Sequence, residues 1–302
     1  ILPIIDGLEE ALSRPHCQWF RYTELTENEH PPQVIDSTNS MTRLRWLIRG
    51  RVMAHLEVGN SELARQELGV LIDFRQSASK GSDLLAMLIT NTATQIVIES
   101  TKSILHHGNW APEDLLFLRH QLMAIDLLED YATSLRFAMA SAVDGLTKVL
   151  DQDWSTPFFY DSDRPRLNAV ARSVPNGWHY QNFARAYWYW NEHIVGTYDS
   201  ERKRILTTNR TPRVDQCYKC PSPYTITADT LGEINFTNFL KTAATNQTRV
   251  DLLAVLCKLQ KHRLTYGQFP QSMEALTSWL LDYVTGKPPF YERRPDGSIL
   301  LA

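Results

Sequence analysis

Residues 41–74 of the chain read MTRLRWLIRGRVMAHLEVGNSELARQELGVLIDF. Apolar residues recur at three- and four-residue spacing on both sides of Gly59-Asn60, which is the pattern of two amphipathic helices. Glycine accepts the left-handed conformation that ends many helices, and Asn60-Ser61 supplies side chains that cap the next helix. The stretch therefore predicts a helical hairpin over residues 41–74.

A similar pattern returns over residues 83–130, where Gly108-Asn109 separates two periodic apolar stretches and Pro112 stands at the start of the second. Repeated helix–turn–helix units of this kind are typical of tetratricopeptide-like repeats. An irregular helical bundle would give the same pattern. We therefore predict a mainly α body over residues 1–245, either solenoid-like or an irregular bundle.

The most aromatic part of the body is a predicted helix over residues 178–198. A crowded core helix would have this composition, and so would a helix whose exposed rings stack on a sugar, a peptide or a partner protein. The candidate ligand or partner surface is formed by Trp178, Tyr180, Tyr187, Trp188, Trp190 and His193.

The last part of the chain, residues 246–302, predicts a separate small module. It combines an amphipathic helix over 249–264, a break at Tyr266-Gly267-Gln268-Phe269-Pro270, a second helix over 272–284 and a hairpin signal at Asp296-Gly297. Because Asp-Gly between apolar residues favours a tight β-turn, the strands flank residues 296–297. We expect an α+β module that ends in a β-hairpin.

Composition and motifs exclude several classes of function. The net charge of −3 lacks the basic excess of a nucleic-acid-binding protein, and no motif for a nucleotide, a metal or a catalytic triad is present, so we expect no cofactor and no metal. Cys217 and Cys220 form a C-x-x-C in a proline-rich stretch. A short structural disulfide and two free thiols both fit this pair, whereas zinc would require further ligands at similar spacing.

The C-terminal part of the chain contains a motif made of Leu259, Arg263, Tyr266-Gly267-Gln268-Phe269-Pro270, Leu276, Gly286-Lys287-Pro288 and Tyr291. This motif resembles the soluble end of type II secretion pseudopilins. Together with Arg49-Gly50-Arg51, Val58-Gly59-Asn60 and Leu68–Phe74, the layout resembles a group of uncharacterised bacterial envelope proteins. The resemblance implies an exported protein, either periplasmic or held by an anchor upstream of Ile1 and facing the periplasm.

Two functions fit these observations. The first is a non-catalytic interaction or scaffold protein of the bacterial cell envelope, whose partner is another envelope protein and whose only membrane contact is through the segment upstream of Ile1. The alternative is a hydrolase or a binding protein for a sugar or peptide, with a cleft over residues 151–198. The helical hairpins and the lack of a catalytic motif favour an interaction protein over an enzyme.

Overall fold

The computed structural model describes residues 7–8, 10–12, 32–80, 84–107, 110–151, 236–272, 282–283 and 286–301, together with isolated positions between 175 and 205. In these residues the chain is mainly helical and ends in a small antiparallel β-hairpin, which confirms the predicted fold class. None of the helices in the described ranges is long and apolar enough to cross a membrane.

Long helices make up most of the described chain. Two short strands precede the last helix in the sequence, and two follow it. The helices are α1 (Pro32–Glu57), α2 (Ser61–Ser79), α3 (Leu84–His107), α4 (Pro112–Met123), α5 (Leu127–Asp151) and α6 (Phe236–Tyr266). The strands β1 (Tyr198–Asp199) and β2 (Arg204–Ile205) precede α6, and β3 (Tyr291–Arg293) and β4 (Ile299–Leu301) follow it. Each strand pair is antiparallel.

The chain forms two compact units. One contains Ile1–Ser134 and Lys241–Ala302, and the other contains Leu135–Leu240. Our predicted boundary between residues 245 and 246 falls inside α6, which is one continuous helix. The sequence of α6 has no glycine or proline to interrupt it, so the helix begins earlier than the periodic apolar stretch that predicted it.

The first helical hairpin has the predicted turn. Gly59 lies at φ +75°, in the left-handed region, and ends the turn that follows α1. The Asn60 side chain accepts a hydrogen bond from the backbone N–H of Leu63 at 3.1 Å, which caps α2. The predicted hairpin is thus confirmed, with both helices extending beyond residues 41–74.

Two glycines of this hairpin are expected to respond in opposite directions to the same substitution. An added Cβ at Gly50 or Gly59 would meet no atom within 4 Å, so neither change causes a clash. Gly50→Ala inside α1 should raise the free energy of unfolding by about 0.5–1 kcal/mol. Gly59→Ala should lower it by about 1 kcal/mol, because an L-residue is strained at positive φ. Urea denaturation monitored by circular dichroism measures both, and a change of the same sign at the two sites would contradict the turn geometry.

Helices α1, α2 and α3 pack against one another and form the core of the first unit. The fully buried side chains include Ile48 and Val52 of α1, Leu71 and Phe74 of α2, and Ile98 of α3. This packing follows from the periodic apolar faces of the three helices, each of which must be removed from water.

A buried ion pair joins this core to the start of α5. Arg75 of α2, which is 2% exposed, donates from Nε to the Thr94 hydroxyl at 3.2 Å and pairs with the Asp130 carboxylate. Burial lowers the pKa of the Arg75 guanidinium, and Asp130 opposes that effect. Burial raises the pKa of Asp130, and the Arg75 charge opposes it. The pair therefore holds three helices together at a large desolvation cost.

The predicted helical hairpin over 83–130 is wrong in its second half, because the chain breaks between α4 and α5 at residues 124–126. Gln247 of α6 lies at this break. Its Nε2 donates to the Ile125 carbonyl at 3.0 Å, and its Oε1 accepts from the Leu127 N–H at 2.8 Å. Asp126 caps α5 by accepting from the Glu129 N–H at 3.0 Å. A side chain remote in sequence therefore supplies the hydrogen bonds that a continuous helix would have made.

The C-terminal module belongs to the first unit, and its turn after α6 lies where the sequence predicts it. Gly267, at φ +75°, ends α6, and Phe269 then packs into a cluster with Val255 and Leu259 of that helix. The hairpin β3–β4 turns at Gly297, φ +80°, and lays Tyr291 and its neighbours against this cluster. Residues 273–281, which hold most of the predicted second helix, lie outside the described residues.

The predicted aromatic helix over 178–198 is helical at the positions described up to residue 187. The predicted C-terminal end at Tyr198 is wrong, because that residue lies in a strand. Residues 177–178, 180–181, 184 and 187 are helical, whereas Tyr198 pairs with Ile205 as a strand. Gly196 in the sequence disfavours continuation of the helix, and Thr197 and Tyr198 favour extended backbone, which accounts for the change.

Candidate functional site

A groove lies between α2 and α4 in the unit that contains residues 1–134, and Leu12 of the described residues 10–12 also lines it. Helix α2 faces it with Glu62, Arg65, Gln66, Gly69 and Asp73, and helix α4 faces it with Asp114, Phe117, Leu118 and Gln121. Both sets follow the three- and four-residue spacing of one helix face, so the two helices present matching faces to a common space. The space has a volume of about 560 Å³, and we call it the α2–α4 groove.

One end of the groove carries a charged cluster. Arg65 of α2 pairs with both Glu62 and Asp114, and the Asp114 carboxylate also accepts from the Ala111 N–H at 3.0 Å. The Trp110 ring lies beside the same guanidinium, with its centroid 5.9 Å from the Arg65 Cζ atom. One cation therefore serves two carboxylates and fixes the start of α4 against the start of α2.

The other end of the groove carries an uncompensated carboxylate. Asp73 lies on the exposed side of α2, and within the described part of the chain it has no ion-pair partner. Partial burial in the groove wall raises the pKa of Asp73. An approaching cation would relieve this cost by favouring the ionised form.

The floor of the groove is apolar and its rim exposes an aromatic ring. Leu68 and Ile72 of α2 and Leu118 of α4 line the floor and are buried among core residues. Phe117 is 65% exposed, and its neighbour Leu116 is also exposed. An uncovered aromatic side chain beside an apolar hollow is the arrangement found at the centre of protein-binding surfaces.

Two features of the described residues bear on metal binding and on nucleophilic chemistry. Within the described ranges, no three His, Cys, Asp or Glu side chains come together to hold a metal ion. Cys257 of α6 is buried, and burial raises the pKa of its thiol to about 12, while Arg119 opposes the shift. At neutral pH this thiol is protonated and is therefore a packing group of the core rather than a nucleophile.

The aromatic residues predicted as a ligand or partner surface are described only in part, and they belong to the unit of residues 135–240. Tyr180 and Tyr187 are 52% and 48% exposed and share one helix face, since they are two turns apart. Trp178 is half-buried. Trp188, Trp190, His193 and the cysteines Cys217 and Cys220 lie outside the described residues, as does most of the predicted cleft over 151–198.

The α2–α4 groove was missed by sequence reasoning. Its polar residues occur on helix faces that read as ordinary solvated surface, where charged residues at three- and four-residue spacing are common. A usable signal was present in α4, where the adjacent residues Leu116 and Phe117 break the polar face of the helix. The distance between the two helix faces, however, is a property of the fold.

Comparison with known proteins adds no family to this description. No protein-family model, no curated protein and no solved structure matches the chain.

Proposed function

We propose that the protein is a non-catalytic interaction protein that binds a partner protein at the α2–α4 groove. The observation that carries the proposal is the apolar hollow between two helix faces, with Phe117 uncovered at its rim. Burying the exposed part of this ring supplies about 1–2 kcal/mol of favourable free energy, as at interface hot spots, whereas the floor residues are already buried and add little. The exposed pair Tyr180 and Tyr187 offers a second aromatic surface of the same kind.

We also propose that the protein acts in the bacterial cell envelope and that its partner is an envelope protein. The support is the resemblance of the tail, around Tyr266-Gly267-Gln268-Phe269-Pro270 and Gly286-Lys287-Pro288, to the soluble end of pseudopilins. Cell fractionation tests the location, and recovery of the protein only in the cytosolic fraction would contradict it.

Site-directed photocrosslinking tests the groove. A photoreactive phenylalanine analogue at Phe117 should give one discrete adduct in cells that express the protein naturally. The same analogue at Leu264, which is 50% exposed on α6, should not give that adduct. Gly69→Trp should remove the Phe117 adduct, because its side chain would fill the groove that Gly69 lines.

Gly69→Ala is the matched control for this experiment. An added Cβ at Gly69 would meet no atom within 4 Å, so the alanine variant should keep the adduct and fold as the original chain does. Circular dichroism melting of both variants shows whether the tryptophan variant is folded. An adduct that persists in a folded Gly69→Trp variant would reject the groove as the binding site.

A further inference from the structure

The charges of the α2–α4 groove indicate the chemistry of its partner. Among the residues that the structure describes, three carboxylates and one guanidinium line the groove. Glu62 and Asp114 share Arg65, and Asp73 has no ion-pair partner within the described residues. The lining is therefore acidic, and like-charge repulsion disfavours an anionic occupant while attraction favours a cationic one.

The length of the groove indicates the form of that partner. Glu62 and Asp73 lie eleven positions apart on α2, which corresponds to about 16 Å along the helix axis, or about three helical turns. The apolar floor lies between the two acidic ends, beside Leu68 and Ile72. A matching segment needs apolar side chains in the middle and cationic side chains about three turns apart.

The volume of the groove indicates how such a segment binds. A helix of three turns that is 10 Å across occupies about 1,300 Å³, whereas the groove holds about 560 Å³. A helix therefore fits over the groove and inserts one face, as in other helix-in-groove complexes. Phe117 at the rim would contact the flank of that helix.

We infer that the α2–α4 groove binds a basic amphipathic helix of about three turns, whose apolar face enters the groove and whose Lys or Arg side chains pair with Asp73 at one end and with the Glu62–Asp114 carboxylates at the other. This inference rests on the proposed function, since it names the partner class for the same groove.

Two synthetic helical peptides test the inference on the full chain. One carries leucines on a single face with lysines beside them, and the other has the same leucines with glutamates in place of the lysines. Fluorescence anisotropy of the labelled peptides should show binding of the lysine peptide, weaker at high salt, and at least tenfold weaker binding of the glutamate peptide. Screening explains the salt effect, because the contacting charges are partly exposed.

Charge reversal at the rim locates the effect. Asp73→Lys should weaken binding of the lysine peptide about tenfold, which corresponds to about 1.4 kcal/mol. Glu292→Lys is the matched control, since Glu292 is exposed on β3 and does not line the groove, and it should leave the affinity unchanged. Phe117→Ser should weaken the binding of both peptides. It should leave the core undisturbed, because this ring is mostly exposed.

The outcomes separate the two proposals. If both peptides bind equally and Gly69→Trp abolishes both, the groove binds apolar helices and the inference about charge is overturned. If the lysine peptide binds but neither Gly69→Trp nor Phe117→Ser affects it, the peptide binds elsewhere and the helix-in-groove inference is overturned, whereas the proposed function still depends on the photocrosslinking result. If neither peptide binds, the helix-in-groove inference is wrong, while the photocrosslinking result at Phe117 still decides the proposed function.

Discussion

Arg75→Met is expected to lower the free energy of unfolding by about 3 kcal/mol at neutral pH. The substitution keeps an unbranched but shorter side chain and removes the guanidinium that pairs with Asp130. Asp130 would then remain as a mostly buried carboxylate without its cation, close to the charges of Asp126 and Glu129 that already raise its pKa. Urea denaturation of the variant and the original chain measures the loss.

The sign of the pH dependence follows from the same contacts. Burial already raises the pKa of Asp130, and loss of Arg75 raises it further because the guanidinium opposes that shift. A folded-state pKa above the unfolded value means that the native chain binds the proton more tightly, so this group's contribution to stability falls as pH rises through the raised pKa. The variant should therefore differ least from the original chain in acid and most at neutral pH.

A double variant provides the control for this prediction. Arg75→Met with Asp130→Leu removes both charges and should recover most of the lost stability, since replacing a buried ion pair by apolar side chains is often neutral or stabilising. Glu57→Gln, which removes an exposed carboxylate at the end of α1, should change the stability by less than about 0.5 kcal/mol. A double variant as unstable as Arg75→Met alone would show that the loss comes from packing and not from charge.

Gln247→Leu is expected to lower the free energy of unfolding by about 2–4 kcal/mol. The change removes the hydrogen bonds to the Ile125 carbonyl and the Leu127 N–H and leaves these buried groups unpaired. Each unsatisfied buried group costs about 1–3 kcal/mol. Asp251 loses one partner too, although the Tyr283 hydroxyl still donates to it at 2.7 Å.

A matched glutamine distinguishes this effect from the loss of any amide. Gln95→Leu changes an exposed residue of α3 and should alter the stability by less than about 0.5 kcal/mol. Hydrogen exchange adds a local measurement, because the Leu127 amide should lose protection in Gln247→Leu and keep it in Gln95→Leu. Equal losses in the two variants would contradict the role assigned to Gln247.

The turns were predictable because their causes are local. Gly59, Gly267 and Gly297 all lie at positive φ, where glycine has the least steric cost, and each was identified from its neighbours in the sequence. Asn60 is also correctly identified as a cap, since its acceptor role involves a residue three positions away. Such features need only a few consecutive residues to form.

The break between α4 and α5 has a cause that is distant in sequence. Asp126, followed by Glu129, gave a local capping signal for α5. The carbonyl and N–H groups left by the break are paired by Gln247, more than a hundred residues away, and only folding brings that side chain to them. The apolar periodicity of the sequence therefore predicted one continuous helix through residues 124–126, where the structure has a break.

Helical content, the glycine turns and the terminal β-hairpin follow from apolar spacing and backbone preference, which act within a few residues and so can be read from the chain. The α2–α4 groove does not, because its existence depends on how far apart two helix faces come to rest. Glu62, Asp73 and Asp114 are unremarkable surface carboxylates in the sequence. They become the rim of one apolar hollow only when the packing of α1, α2 and α3 and the Arg65 ion pairs set the position of α4.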